Sequence, residues 1–171
     1  GLEAAASARA LGAEAVVIER MDRVLARVAS QALSTFFTDL HRRHGVEILT
    51  GAEVAGFEDG GVRLADGGLI AADAILVGVG ALAREALART AGLACENGVV
   101  VDETARTRDP AIYAIGDVTH RPIPVHGGRM HRLESVPNAL EQAKQAAAAI
   151  VGRVAHAPEV PWFWSDQYDV K

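Results

Sequence analysis

Hydrophobic and polar positions switch period several times along the chain. Residues 2–11 (LEAAASARAL) are Ala-rich and are followed by Gly12, which predicts a short helix ended by glycine. AEAVVIE (13–19) is a compact apolar run with β-branched residues and predicts a buried strand. SQALSTFFTDLHRRHG (30–45) has the spacing of an amphipathic helix. Ser30 stands where an N-cap belongs, the last turn is basic and Gly45 follows. VEIL (46–49) returns to strand. Residues 52–80 break into short apolar pieces separated by Asp-Gly and Gly-Gly, a β-meander that ends on ILVGVG (75–80) as a buried strand. Residues 81–92 predict a helix, and GVVVD (98–102) and AIYAIGD (111–117) predict strands. SVPNALEQAKQAAAAIVG (135–152) predicts a helix with Pro137 near its start and Gly152 at its end.

Strands alternating with helices imply an α/β doubly wound sheet, with the antiparallel meander as a crossover insert. The border between two sub-domains falls in VVVDETARTRDP (99–110). Composition refines this picture. Half of the 171 residues are hydrophobic but only 5% are aromatic, so the core must be aliphatic and Ala-rich. A net charge of -5 argues against a general nucleic-acid binder. No apolar run approaches the roughly 20 residues that span a bilayer, and no signal-peptide pattern is present. Cys95 is the single cysteine, which leaves no redox pair or cysteine zinc cluster and fits a reducing, cytoplasmic setting. The chain opens on a helix without Met and stops in PWFWSDQYDVK, so both ends are expected to be cut rather than finished.

Two stretches carry candidate chemistry. Gly1 before an Ala-rich helix, with Glu19 closing the next strand, fits the second half of a dinucleotide-binding fingerprint; ordinary α/β packing explains the same residues. A carboxylate at Glu19 would accept ribose hydroxyls and repel a 2′-phosphate, favouring NAD over NADP, with Arg20 and Arg23 near enough to offset that repulsion. In YAIGD, a parallel strand delivers its C-terminal end to a ligand crevice. There Gly116 permits close approach, and Asp117 presents a charge-assisted acceptor to sugar-type hydroxyls. A plain Gly-Asp turn is the alternative.

TRDPAIYAIGD (107–117) resembles the second flavin-binding motif of the two-dinucleotide-domain flavoprotein reductases. GLEAAASARALGAEAVVIERMDRVLAR is similar to that family's NAD domain after a truncated glycine loop, and ILVGVGALARE to its final strand and turn. RLESVPNALEQAKQAAAAI and PWFWSDQYD resemble segments of the ferredoxin-reductase branch. The resemblance implies an NAD-binding Rossmann-like domain lacking its first strand (1–101), the C-terminal part of an FAD-binding Rossmann-like domain (102–157) and the start of an interface domain (158–171). It implies FAD and NAD as cofactors and electron transfer from NADH through FAD to a ferredoxin-type iron–sulfur protein of an oxygenase system. Asp117 would bind the flavin ribityl chain, with Gly116 giving access, and Val136 would lie against the flavin ring. Trp162 and Trp164 sit where an aromatic meets flavin and nicotinamide. By the same resemblance Gly1 would be the third fingerprint glycine, Glu3 would face the nicotinamide side, Glu19 would hold the adenosine ribose, Arg27 would contact the adenosine end or the pyrophosphate, and Gly78 with Gly80 would keep the VGVG turn open.

No catalytic triad and no metal site are expected. His41 and His44 read as a surface helix face. THRPIPVHGGRMHR (119–132) reads as a basic loop in which Arg121, Arg129 and Arg132 could receive an acidic ferredoxin. Glu134 reads as a domain-orienting salt bridge. The chain alone is expected to bind FAD poorly and to lack turnover. Other NADH-dependent flavoprotein reductases (rubredoxin reductases, nitrite-reductase flavin subunits, NADH oxidases) and a non-catalytic nucleotide-binding module remain alternatives, and the oligomeric state is open.

Overall fold

The structure, a computed structural model, describes residues 1–154 and 157–171. Its contacts group into two units, Gly1–Val79 with Ser165–Lys171, and Gly80–Trp164.

In the first unit, helix α1 (Leu2–Ala10) leads to strand β1 (Val16–Glu19), helix α2 (Gln31–Arg43) and strand β2 (Glu47–Thr50). The two strands pair in parallel, from Val16 with Glu47 to Glu19 with Thr50. The crossover through α2 thus brings Glu19 to the C-terminal end of a parallel pair. Ser30 caps α2 by accepting the Leu33 amide at 3.4 Å, as the sequence predicts. Leu2, Ala5, Val24, Val46 and Ile48 form the buried core, with Ala15, Val17, Leu25 and Phe37 packed on it. All these side chains are aliphatic except Phe37, in line with the composition. The predicted meander is present as antiparallel strands β3 (Val54–Glu58), β4 (Gly61–Leu64) and β5 (Leu69–Ala71). Gly61 is required there, because a Cβ would lie 2.2 Å from the Ile70 carbonyl oxygen.

The second unit contains helix α3 (Ala86–Thr90), strands β6 (Val99–Val100), β7 (Thr119–Ile123) and β8 (Arg129–His131), and helix α4 (Val136–Ile150). Strand β6 runs parallel to β7, and β7 antiparallel to β8. Ser135 caps α4 by accepting the Asn138 amide at 3.3 Å. The molecule is α/β, as expected.

Four local expectations are corrected. Residues 75–80 form no strand, and Ile75, Leu76, Val77 and Val79 are exposed. An extended apolar run becomes a strand only by pairing, and no described strand pairs with it. The helix expected over 81–92 shrinks to five residues. AIYAIGD is not a regular strand: Tyr113 makes one bridge to Arg106, and Gly116–Val118 form a turn of 3-10 helix. The stretch after it is not a loop but the β7–β8 hairpin, closed by Gly127 in the left-handed region (φ 68°). None of the helices of the described residues is long and apolar enough to cross a membrane.

Candidate cofactor-binding site

Within the second unit the site is built around the Gly116-Asp117 turn. Ile115 arrives extended, and Gly116 turns left-handed (φ 76°), a conformation glycine adopts at little cost. Gly116 is buried, and its amide donates to Gln142 Oε1 of α4 at 2.8 Å. Thr119 Oγ lies 2.8 Å from both the Gly116 carbonyl oxygen and Gln142 Oε1. The turn is therefore clamped onto α4 by side chains. The Asp117 backbone carbonyl accepts Arg132 Nη1 at 3.2 Å, while its side chain stands exposed and takes no hydrogen bond from the described residues. Val136, first residue of α4, is exposed.

Arg132 also donates to the Ala81 carbonyl at 3.0 Å and pairs with Glu134 at 2.5 Å. One guanidinium thus ties the turn at Gly80, itself left-handed (φ 104°), to the Gly-Asp turn. Its Nε is buried without a partner. Glu134 makes a local ion pair on the same strand end. Beneath, Arg121 is buried and donates to Glu141 Oε2 and Asn138 Oδ1, both at 3.1 Å. The expected docking role of Arg121 is thereby overturned: it alternates inward on β7 and belongs to a buried ion pair. His120 and His131 are half-buried, each with a ring nitrogen lacking a partner, while Arg129 and His126 stay exposed. Glu85 accepts the Gly98 amide and the Arg89 guanidinium, which hold its carboxyl below the usual range. Trp162 and Trp164 are each about half exposed, with ring centroids 5.6 Å apart.

In the first unit Gly1 caps α1 and touches the segment at Gly78: a Cβ on Gly78 would lie 3.4 Å from the Gly1 nitrogen. Glu19 accepts the Met21 amide at 2.8 Å. Arg27 is exposed. Arg23 is not available to a phosphate. It donates to the Ala29 and Ala26 carbonyls at 2.9 and 3.0 Å and to Ser34 Oγ at 2.6 Å, fixing the loop between β1 and α2. Glu3 Oε1 accepts the Ser165 hydroxyl at 2.6 Å. His41 is fully buried and bonds Gln167 and Tyr168, so its surface reading is corrected, whereas His44 is exposed and stacks on Tyr168 at 3.7 Å. Burial pushes the Tyr168 phenol up. No group of three or more potential metal ligands occurs among the described residues.

Gln142 and Ser165 were missed from sequence, and Arg132 was read only as a docking cation, not as the tie between two turns. Gln142 lies on the buried face of a helix that the periodicity does predict, but its partner is 26 residues away.

Residues 1–143 match the pyridine nucleotide-disulphide oxidoreductase family, and the chain belongs to it. Among its relatives, the probable ferredoxin reductase CtmF of Castellaniella defragrans is 56% identical over 100% of this chain and 43% of that protein. Rhodocoxin reductase of Rhodococcus erythropolis is 46% identical over 100% of this chain and 41% of that protein. A structure of the covalent putidaredoxin reductase–putidaredoxin complex matches with TM-score 0.94 and 41% identity, over 98% of this chain and 42% of that one. The chain thus spans about two fifths of the length of the curated relatives it matches.

Proposed function

We propose that the chain is the NAD-binding part and the C-terminal FAD-binding part of an NADH-dependent flavoprotein reductase whose acceptor is a ferredoxin-type iron–sulfur protein. The observation that carries this reading is the unpaired, exposed Asp117 carboxylate on a left-handed Gly116 whose amide is locked to Gln142. A carboxylate on a turn so held is a charged acceptor for a polyol, which supports reading it as the partner of the ribityl hydroxyls of FAD. Two further observations support it. The likeness to ferredoxin reductases runs through PWFWSDQYD at the end of the chain, and the left-handed Gly80 turn is roped to the Gly-Asp turn by Arg132.

In this reading residues 1–101 hold NAD, 102–157 contribute to FAD binding, and 158–171 open an interface domain. FAD, when bound, couples a two-electron donor to one-electron acceptors. The chain's residues bind and orient. Asp117 with Gly116 holds the ribityl chain, Val136 offers an apolar contact to the ring, and Trp162 or Trp164 covers it. Gly1 and Gly78 leave room for the dinucleotide, Glu3 faces the nicotinamide, and Glu19 takes the adenosine ribose. Arg20 and Arg27 are exposed cations nearby, since Arg23 is consumed by the loop. With Arg121 withdrawn, an acidic partner would meet Arg129 and His126. The protein works in the cytoplasm.

The test is Asp117→Asn. Loss of a hydrogen bond between a charged acceptor and a hydroxyl costs about 1.5–3 kcal/mol, roughly 10- to 100-fold in FAD affinity. Flavin absorbance retained through dialysis by the full-length, flavin-loaded reductase that carries this sequence reads it directly. Unchanged flavin retention would overturn the assignment.

A further inference from the structure

The carboxylate of Glu3 ends a chain of side chains that reaches into the protein. Ser165 Oγ lies 2.6 Å from Glu3 Oε1. Gln167 Nε2 lies 2.8 Å from Ser165 Oγ. Gln167 Oε1 lies 2.8 Å from His41 Nε2, and His41 Nδ1 lies 3.1 Å from the Tyr168 hydroxyl. His44 stacks on the Tyr168 ring. His41 is 0% exposed and Gln167 3%, whereas Glu3 is exposed. The chain therefore has a buried root and an exposed tip.

Donor chemistry gives it a direction. An ionised carboxylate only accepts, so Ser165 must give Glu3 its one proton. The Ser165 oxygen then accepts from the Gln167 amide nitrogen. This turns Gln167 Oε1 toward His41, so His41 Nε2 carries the proton and Nδ1 accepts from Tyr168. With a neutral imidazole, every link is satisfied in this one arrangement. The Ser165–Glu3 distance is that of a charge-assisted O–H···O bond.

We infer that Ser165, set by Gln167 and His41, is a positioning residue that fixes the Glu3 carboxylate for the nicotinamide end of the bound dinucleotide. The inference rests on the reading of Glu3 as a nicotinamide-facing group. A free glutamate on the first turn of a helix samples several rotamers, and only some present the carboxylate to a ligand. A hydrogen bond that selects one raises ligand affinity by reducing what binding must order.

The experiment is a double-mutant cycle read by NAD+ titration calorimetry on the oxidised, flavin-loaded protein, where no turnover occurs. Ser165→Ala is expected to weaken NAD+ binding about five-fold, Ser165→Thr to restore it, and the Ser165→Ala effect to vanish in a Glu3→Gln background. If Glu3→Gln weakens binding but Ser165→Ala does not, or its effect persists undiminished in the Glu3→Gln background, the positioning role is wrong and the site reading stands. If Glu3→Gln leaves NAD+ binding unchanged, the placement of Glu3 fails and the inference with it. Imidazole nitrogen NMR of the unmodified protein gives an independent check. The Nε2–H tautomer of His41 is expected, and an Nδ1–H tautomer would overturn the relay.

Discussion

Gln142 is the side chain on which the Gly-Asp turn depends, and Gln142→Met isolates what it does. It is 0% exposed, and Met fills nearly the same volume without an acceptor. The substitution orphans the buried Gly116 amide, which costs about 1–3 kcal/mol. Thr119 loses one acceptor but keeps the Gly116 carbonyl at 2.8 Å, so its hydroxyl remains satisfied. A gain offsets part of the loss, because Gln142 Nε2 is already buried without a partner and its removal returns about 1 kcal/mol. The net expectation is a loss of about 1 kcal/mol. For a chain of this size that lowers Tm by about 2–4 °C, measured by thermal melts followed by circular dichroism. Flavin retention should fall with it, since Asp117 is then held only through its carbonyl bond to Arg132. A Tm within about 1 °C of the parent, or above it, would refute the account, because the clamp would then contribute no more than the orphaned amide costs.

Gly116→Ala should cost about 1–2 kcal/mol in urea unfolding. Its Cβ meets Ala139 Cβ at an ordinary 3.6 Å, so the penalty is the left-handed backbone alone and a loss above about 4 kcal/mol would mean a clash. Glu141→Ala should cost about 3–5 kcal/mol because it leaves the buried Arg121 charge unpaired, while the double variant Arg121→Met with Glu141→Leu should cost clearly less; equal losses in denaturant midpoints would contradict the ion-pair reading. Partial burial raises the Asp102 carboxyl, but the Thr104 hydroxyl and the Arg106 and Thr104 amides lower it further, leaving it below the usual aspartate value. A depressed folded-state value stabilises above the unfolded value and is lost as pH falls through the folded one. Stability should thus drop less steeply below about pH 4 in Asp102→Asn than in the parent, and parallel curves would exclude the contribution.

Elements governed by neighbours in sequence were legible. Ser30 and Ser135 stand at the starts of α2 and α4, and Pro137 lies in the first turn of α4. The meander followed from its Asp-Gly and Gly-Gly turns. Features that depend on distant partners were not. His41 looks like a surface histidine until Gln167, 126 residues later, arrives beside it. Arg121 looks like a docking cation until Glu141 meets it from α4. ILVGVG has strand composition, yet no strand among the described residues pairs with it. Of the candidate site, the Gly116-Asp117 turn was legible as local geometry, while the approach of Gly78 to Gly1 joins residues far apart in sequence and was not. The clamp by Gln142 and the rope of Arg132 left no local trace.

The bare run Ile75–Val79 also bears on handling the chain in solution. Four large aliphatic side chains on an extended, unpaired backbone form an adhesive edge, ready to be matched by the same edge of another copy. Asp73 on one flank and the glycines at 78 and 80 act as gatekeepers that shorten the sticky stretch without removing it. Self-association through it should rise with protein concentration and shorten the shelf life of such a preparation. A charge placed at Val77 would be the economical way to extend it.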